Sequence, residues 1–316
     1  MNKLSNILIL PVFLLLTVSS CIMDTLEQCE FHLRLKYDYN MDYVDKFMQQ
    51  AKNLHVYIFD ENSLFVDQIE RSADEIINNQ IDVIIKSQDY GKNYTFLAWV
   101  GIDSHNIVAT SPKVGVTSIA DFEVALNHKV KSSEVFEPLM VGEVTTVLEP
   151  ETNAEVFLTK NTNKFRIAFR LPPSSYTDAT IIAEDYNIYI ESNNTRYNNK
   201  NEIISDEVVQ YYPYYKKNDE RGFVLEINTL RIVEKRHNIL VIENIHTNEK
   251  LLRVDLNKYL EDLRFLSNSN MPRQEFFDRE DEFAIIFFLS NTDFFGSFNL
   301  EINGWLIREQ EYDELN

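Results

Sequence analysis

Residues 31 to 37 alternate without a break: Phe31, Leu33, Leu35 and Tyr37 fall on one side, His32, Arg34 and Lys36 on the other. A period of two is that of a strand with one buried face and one wet face, and no helix of this composition could bury its apolar residues together. The pattern returns at Tyr94, Phe96, Ala98 and Val100, and at Phe165, Ile167 and Phe169, which stand opposite Lys164, Arg166 and Arg170. Residues 54 to 59, 64 to 66, 144 to 148, 188 to 190, 224 to 232 and 239 to 242 are further strand candidates. The apolar run 283 to 289 suits a strand buried in the middle of a sandwich. Many short strands at regular spacing predict an all-β chain with a few short helices.

Turn and cap chemistry fills in the connections. Asp60, Glu61, Asn62 and Ser63 predict a hairpin turn, as do Asn303 and Gly304 before Trp305. Val44, Phe47, Met48 and Ala51 lie at helical spacing after Asn40, Phe122 and Leu126 after Ser118, and Leu256, Tyr259, Leu260 and Leu263 after Asp255, each predicting a capped helix. The Asn-rich segment 193 to 200 reads as an exposed loop or hairpin tip, and 278 to 282 as a solvated turn with internal ion pairs. Residues 150 to 153, which open with Pro150, form the expected boundary between two tandem β-sandwiches, 21 to 150 and 151 to 316.

The start of the chain has another purpose. Lys3, an apolar run at 7 to 18, and Ser19-Ser20-Cys21 form the pattern of a bacterial lipoprotein signal, expected to be cut between Ser20 and Cys21. As a helix the run would reach about 18 Å, short of a ~30 Å hydrocarbon core. A sulfur is required at Cys21 to form the thioether to diacylglycerol before cleavage; the freed amine then takes an acyl chain, and two or more chains hold stably. Loss of residues 1 to 20 leaves 29 basic against 50 acidic side chains. That balance repels nucleic acid and anionic headgroups, so the lipid must hold the membrane. Cys29 then has no intramolecular partner, and no disulfide framework is possible.

Catalytic chemistry finds little support. Glycine occurs only 7 times, about a third of the ~7% average, and no two are spaced for a phosphate loop. His32, His55, His105, His128, His237 and His246 have no metal-ligand spacing, and residues 278 to 282 lack the alternating ligands and the glycine of a calcium loop. Ser297 follows Gly296 without a nucleophile-elbow pattern. No enzyme, cofactor or metal is expected. One aromatic cluster, Tyr211, Tyr212, Tyr214 and Tyr215 around Pro213, offers a candidate ligand surface, since tyrosine faces stack on sugars; its plainer reading is an edge strand interrupted by proline, with alternate rings packed inward.

Residues 29 to 66 together with YTFLAWVG (94 to 101), the DFEVAL helix (121 to 126), FLTKNTNKFRIAF (157 to 169), IISDEVVQYYPYY (203 to 215), LLRVDLNKYL (251 to 260), FFDREDEFAIIFFL (276 to 289) and INGWLI (302 to 307) resemble the FimB/Mfa-type fimbrial anchor lipoproteins of Bacteroidetes. The resemblance covers nearly all of the chain after Cys21. It implies transthyretin-like Greek-key sandwiches, a surface-exposed outer-membrane lipoprotein, and a minor subunit that attaches a type V pilus and regulates its length. The implied partner is the major stalk subunit, joined by strand complementation. A tip or accessory adhesin, or a glycan-binding lipoprotein of a nutrient-uptake system, are the alternatives. In polymerising subunits of the family, cleavage after a basic residue removes the first strand with the lipid. Here the first basic residues after Cys21 are Arg34 and Lys36, inside the alternating strand, where ladder bonding should shield them. The segment 300 to 307 is read as a strand of this subunit rather than a donated one.

Overall fold

The computed structural model describes residues 29–86, 89–103, 105–127, 133, 135–149, 152–171, 181–289 and 297–311. Within them the chain is mostly strand. The expected first strand is β1 (Cys29–Lys36), which lies in the middle of a three-stranded sheet. It pairs antiparallel with β4 (Gln80–Ile85) and parallel with β9 (Asn153–Phe157). A five-stranded sheet faces it, in the order β10 (Thr159–Lys160), β8 (Met140–Val147), β5 (Asn93–Val100), β2 (Asn53–Phe59) and β3 (Phe65–Ser72). Phe31, Leu33 and Leu35 are fully buried against Leu54, Val56, Phe96 and Ala98, and the Phe31 and Phe96 rings stack at 5.3 Å. Ladder pairing carries this pair of sheets past residue 150, to Lys160.

The five-stranded sheet is buried on both faces, which explains why β5 is apolar almost throughout. Tyr57, Phe59, Leu97 and Trp99 point away from β1 into a second cluster. There they meet a small sheet of β13 (Arg196–Asn198), β7 (Glu123–Leu126) and β6 (Ile107–Ala109). The Tyr57 and Phe122 ring centroids lie 4.3 Å apart.

The same cluster is the core of the remaining sheets. One has six strands: β15 (Tyr215–Asp219), β16 (Gly222–Leu230), β11 (Thr162–Arg170), β19 (Glu282–Leu289), β20 (Ser297–Ile302) and β21 (Trp305–Glu311). The other has four: β14 (Val209–Tyr211), β12 (Tyr186–Ser192), β17 (Asn238–Asn244) and β18 (Lys250–Asp255). Phe165 and Phe169 of β11 stack on Phe283 and Phe287 of β19, at 5.1 and 4.9 Å. β11 repeats the setting of β1, with one antiparallel and one parallel neighbour.

Three α-helices are described: α1 (Phe47–Gln50), α2 (Leu256–Ser267) and α3 (Arg273–Arg279). Asp255 caps α2 as expected, accepting a hydrogen bond from the backbone N–H of Asn257. The helix expected after Asn40 shrinks to α1, one turn that buries Phe47, because Asn40 instead ties down the preceding loop. The DFEVAL helix does not form. Ser118 caps a single 3-10 turn, and residues 123 to 126 become β7, since β6 and β13 supply ladder partners on both sides.

Candidate functional site

The strand pairing decides which strands are locked in and which remain available. β1 is locked. Both its edges are hydrogen-bonded, and flanking bonds from Leu35 N–H to the Asn79 carbonyl and from Leu158 N–H to the Lys36 carbonyl extend the ladder. The Arg34 side chain lies on the wet face, 3.9 Å from Glu155, while the backbone on either side of it is in register with β4 and β9. A protease must bind its substrate as an unpaired extended chain, so this bond is reachable only after β1 leaves the sheet. Cys21 and Ser20 lie outside the described residues, as does the side chain of Cys29.

The C-terminal hairpin forms as expected. Asn303 and Gly304 both take positive φ, 49° and 84°, the requirement of a two-residue turn between β20 and β21. β20 pairs with β19 and β21 with β20, so both are strands of this subunit's own sheet. β21 is the edge strand.

The tyrosine cluster separates. Tyr211 ends β14 in the four-stranded sheet, whereas Tyr215 begins β15 in the six-stranded one; Pro213 sits where the chain crosses between them. Tyr211 is fully buried and its hydroxyl donates to Asn194 Oδ1 at 2.7 Å. Burial pushes its phenol well above the usual range. It cannot offer a ring face to a ligand. Tyr212 donates to Gln210 Oε1, and Tyr214 to Glu226 Oε2 at 2.6 Å, so only Tyr215 stands exposed. The four rings share no platform.

Two polar segments prove to be structural. Residues 193 to 200 form the hairpin tip and not the exposed loop: Asn194, Thr195 and Tyr197 are buried, β13 pairs with β7, and the chain turns back so that Tyr197 bridges antiparallel to Ile203. Asp278 is not solvated either. Arg231 grips it with Nε and Nη2, both at 2.7 Å, and donates Nη1 to the Asn201 carbonyl. The pair is nearly inaccessible, and a buried ion pair of this kind holds only when its remaining groups are satisfied. Gln274 Nε2 supplies one more hydrogen bond to Asp278 Oδ1.

Beside it, the loop after β1 docks on α3. The Arg279 guanidinium lies over the rings of Tyr39 and Tyr43, at 4.2 and 4.5 Å, and donates to the Asn40 carbonyl. Glu280 follows, its carboxyl pushed up to about 7 by burial and by Asp281, against a lowering hydrogen bond from the Glu282 backbone, with smaller raising contributions from the Glu282 and Asp42 charges. No sequence motif marks this joint. Among the described residues no group of histidine, cysteine and acidic side chains is placed to hold a metal, and no helix is long and apolar enough to cross a membrane.

Comparison with known proteins follows the fold. The sequence profile of the fimbrillin-A associated anchor proteins Mfa1 and Mfa2 matches residues 26–311. A structure from Bacteroides thetaiotaomicron, provisionally described as polysaccharide-binding, is 25% identical with a TM-score of 0.79, covering 90% of this chain and 99% of that one. An adhesin, also provisionally described, from the same organism is 23% identical with a TM-score of 0.77, over 89% and 99%. The fimbrial anchor protein Mfa2 from Porphyromonas gingivalis, at 16% identity, shares the fold with a TM-score of 0.68, over 89% and 99%. Comparison with curated proteins returns no significant match. With a profile match that spans nearly every residue of the two buried clusters, the chain belongs to the family of fimbrillin-A associated anchor proteins Mfa1 and Mfa2.

Proposed function

We propose that the mature protein begins at a lipidated Cys21, sits on the outer face of the outer membrane, and fixes the base of a fimbria whose length it limits. The observation that carries this reading is the placement of β1. A subunit meant to polymerise must give up its first strand to open a groove; a subunit meant to stay must keep that strand, because the strand joins the lipid to the fold. Both edges of β1 are hydrogen-bonded and Phe31, Leu33, Leu35 and Tyr37 are fully buried, which supports retention of the strand. The stalk subunit is the partner, joined through strand complementation. The role is one of attachment and not of catalysis.

The test is the N-terminus of the protein recovered from the surface of fimbriated cells. Mass spectrometry should find a chain starting at acylated Cys21; a chain starting at Leu35 or later would overturn the proposal. Deleting the gene should release fimbriae into the medium or lengthen them. Fimbriae that stay attached at normal length would instead indicate a tip or accessory subunit.

A further inference from the structure

We infer that the open cleft between the loop after β1 and the α2–α3 connection, about 490 Å³ in volume, binds a neutral saccharide with Tyr43 as its stacking ring.

One wall is Tyr43. Its φ is +54°, a conformation in which a bulky side chain is an outlier and which persists only where the surroundings impose it. They do so here. Buried Asn40 donates to the carbonyls of Tyr37 and Val44, accepts from Asp42 N–H through its side chain, and accepts from Tyr43 N–H through its backbone carbonyl. The outcome is an aromatic ring that is 61% exposed, backed by the Arg279 guanidinium and turned toward the cleft instead of the core.

The other wall is the turn after α2, which carries Ser267, Ser269 and Asn270. Arg264, held by both oxygens of Glu261 at 2.9 and 2.8 Å, donates Nη1 to the carbonyls of Ser269 and Met271. Both walls are therefore fixed before any ligand arrives, which lowers the ordering cost of binding. Ser269 and Asn270 are exposed, and their side chains face solvent with hydroxyl and amide groups to offer.

The chemistry selects the ligand class. An anion finds no cation among the residues that line the cleft, since Arg279 lies behind the Tyr43 ring, and it meets the Glu275 carboxylate instead. For a cation the cleft lining offers a single carboxylate, Glu275, whose Oε1 is already paired with Arg279 Nε at 2.7 Å. A lipid finds hydroxyls and amides. The net charge of −20 also repels acidic ligands. A ring face for C–H stacking beside neutral donors and acceptors is what an uncharged sugar requires.

The experiment is calorimetric titration of the whole mature chain with maltose, cellobiose, lactose and chitobiose, with sialyllactose as the anionic control. At least one neutral disaccharide should bind. Tyr43→Gly, which suits the positive φ but gives up the ring beneath Arg279, is expected to weaken that binding about tenfold or more, with thermal unfolding measured beside it to show that the fold survives. Tyr43→Phe should retain it, and Tyr215→Ala should leave it unchanged. Absence of binding by all four neutral sugars, a preference for sialyllactose, or affinity unaltered in Tyr43→Gly would each overturn the inference.

Discussion

Single side chains set where this molecule is sensitive to its surroundings. Glu280 lies in the joint between α3 and β19, where burial and Asp281 raise its carboxyl from 4.5 to about 7. A folded-state value above the unfolded one means that the fold favours the protonated acid. Its stabilising contribution is complete below about pH 4.5 and is lost as the pH rises through about 7. Glu280→Gln keeps a neutral group at every pH. Urea unfolding should show this variant more stable than the parent at pH 8, by up to about 3 kcal/mol, and nearly equal at pH 4. An equal gain at both values would show that the carboxyl does not titrate in this window. Asp278, two residues earlier, is the contrasting case: Arg231 meets it with two parallel hydrogen bonds, so its charge is matched inside the fold.

Among the elements, β1 bears the most consequence because it is core and, in the proposed reading, the link between the lipid and the fold. Leu33 is fully buried between the two sheets, and Leu33→Ala should cost about 2–5 kcal/mol. The loss falls on the strand that shields Arg34, so it has a second reading in proteolysis. Native parent protein should resist trypsin at Arg34, while the variant should release a fragment beginning at Leu35, identified by its N-terminal sequence. Equal cleavage rates in the two proteins would mean that ladder pairing does not protect this bond. β21 is the complementary case. It is an edge strand that shows Trp305 and Leu306 to solvent, yet it is paired along β20 and belongs to this subunit's sheet.

On the scale of the whole molecule, function divides between a folded body and its attachment. The family match places the body among the fimbrillin-A associated anchor proteins, and the solved neighbours share its fold. The proposed lipid at Cys21 is the attachment, and with 29 basic against 50 acidic groups left after residue 20 there is no electrostatic hold on an anionic surface to replace it. Cys21→Ser should therefore leave circular dichroism and thermal unfolding of the folded body unchanged while moving the protein, and the fimbriae with it, from the membrane fraction to the medium. Retention of the variant in the outer membrane would point to a different anchor.

The sequence alone was enough wherever the determining physics is local. Alternation at 31 to 37 and 165 to 169, the Asp255 cap and the Asn303-Gly304 turn each depend on residues within a few positions of one another, and each is found where the pattern predicts it. The family resemblance was legible for the same reason, being spread over many such segments. Tertiary structure decided the rest. Residues 123 to 126 become strand because β6 and β13 offer ladders; Asp278 is buried because Arg231, 47 positions away, neutralises it; the tyrosines around Pro213 divide because the chain changes sheets there. Tyr43 faces a cleft whose opposite wall is formed more than two hundred residues later, at the turn after α2. Backbone ladders, buried countercharges and cleft walls join residues by position in space, and no local period or spacing encodes that position.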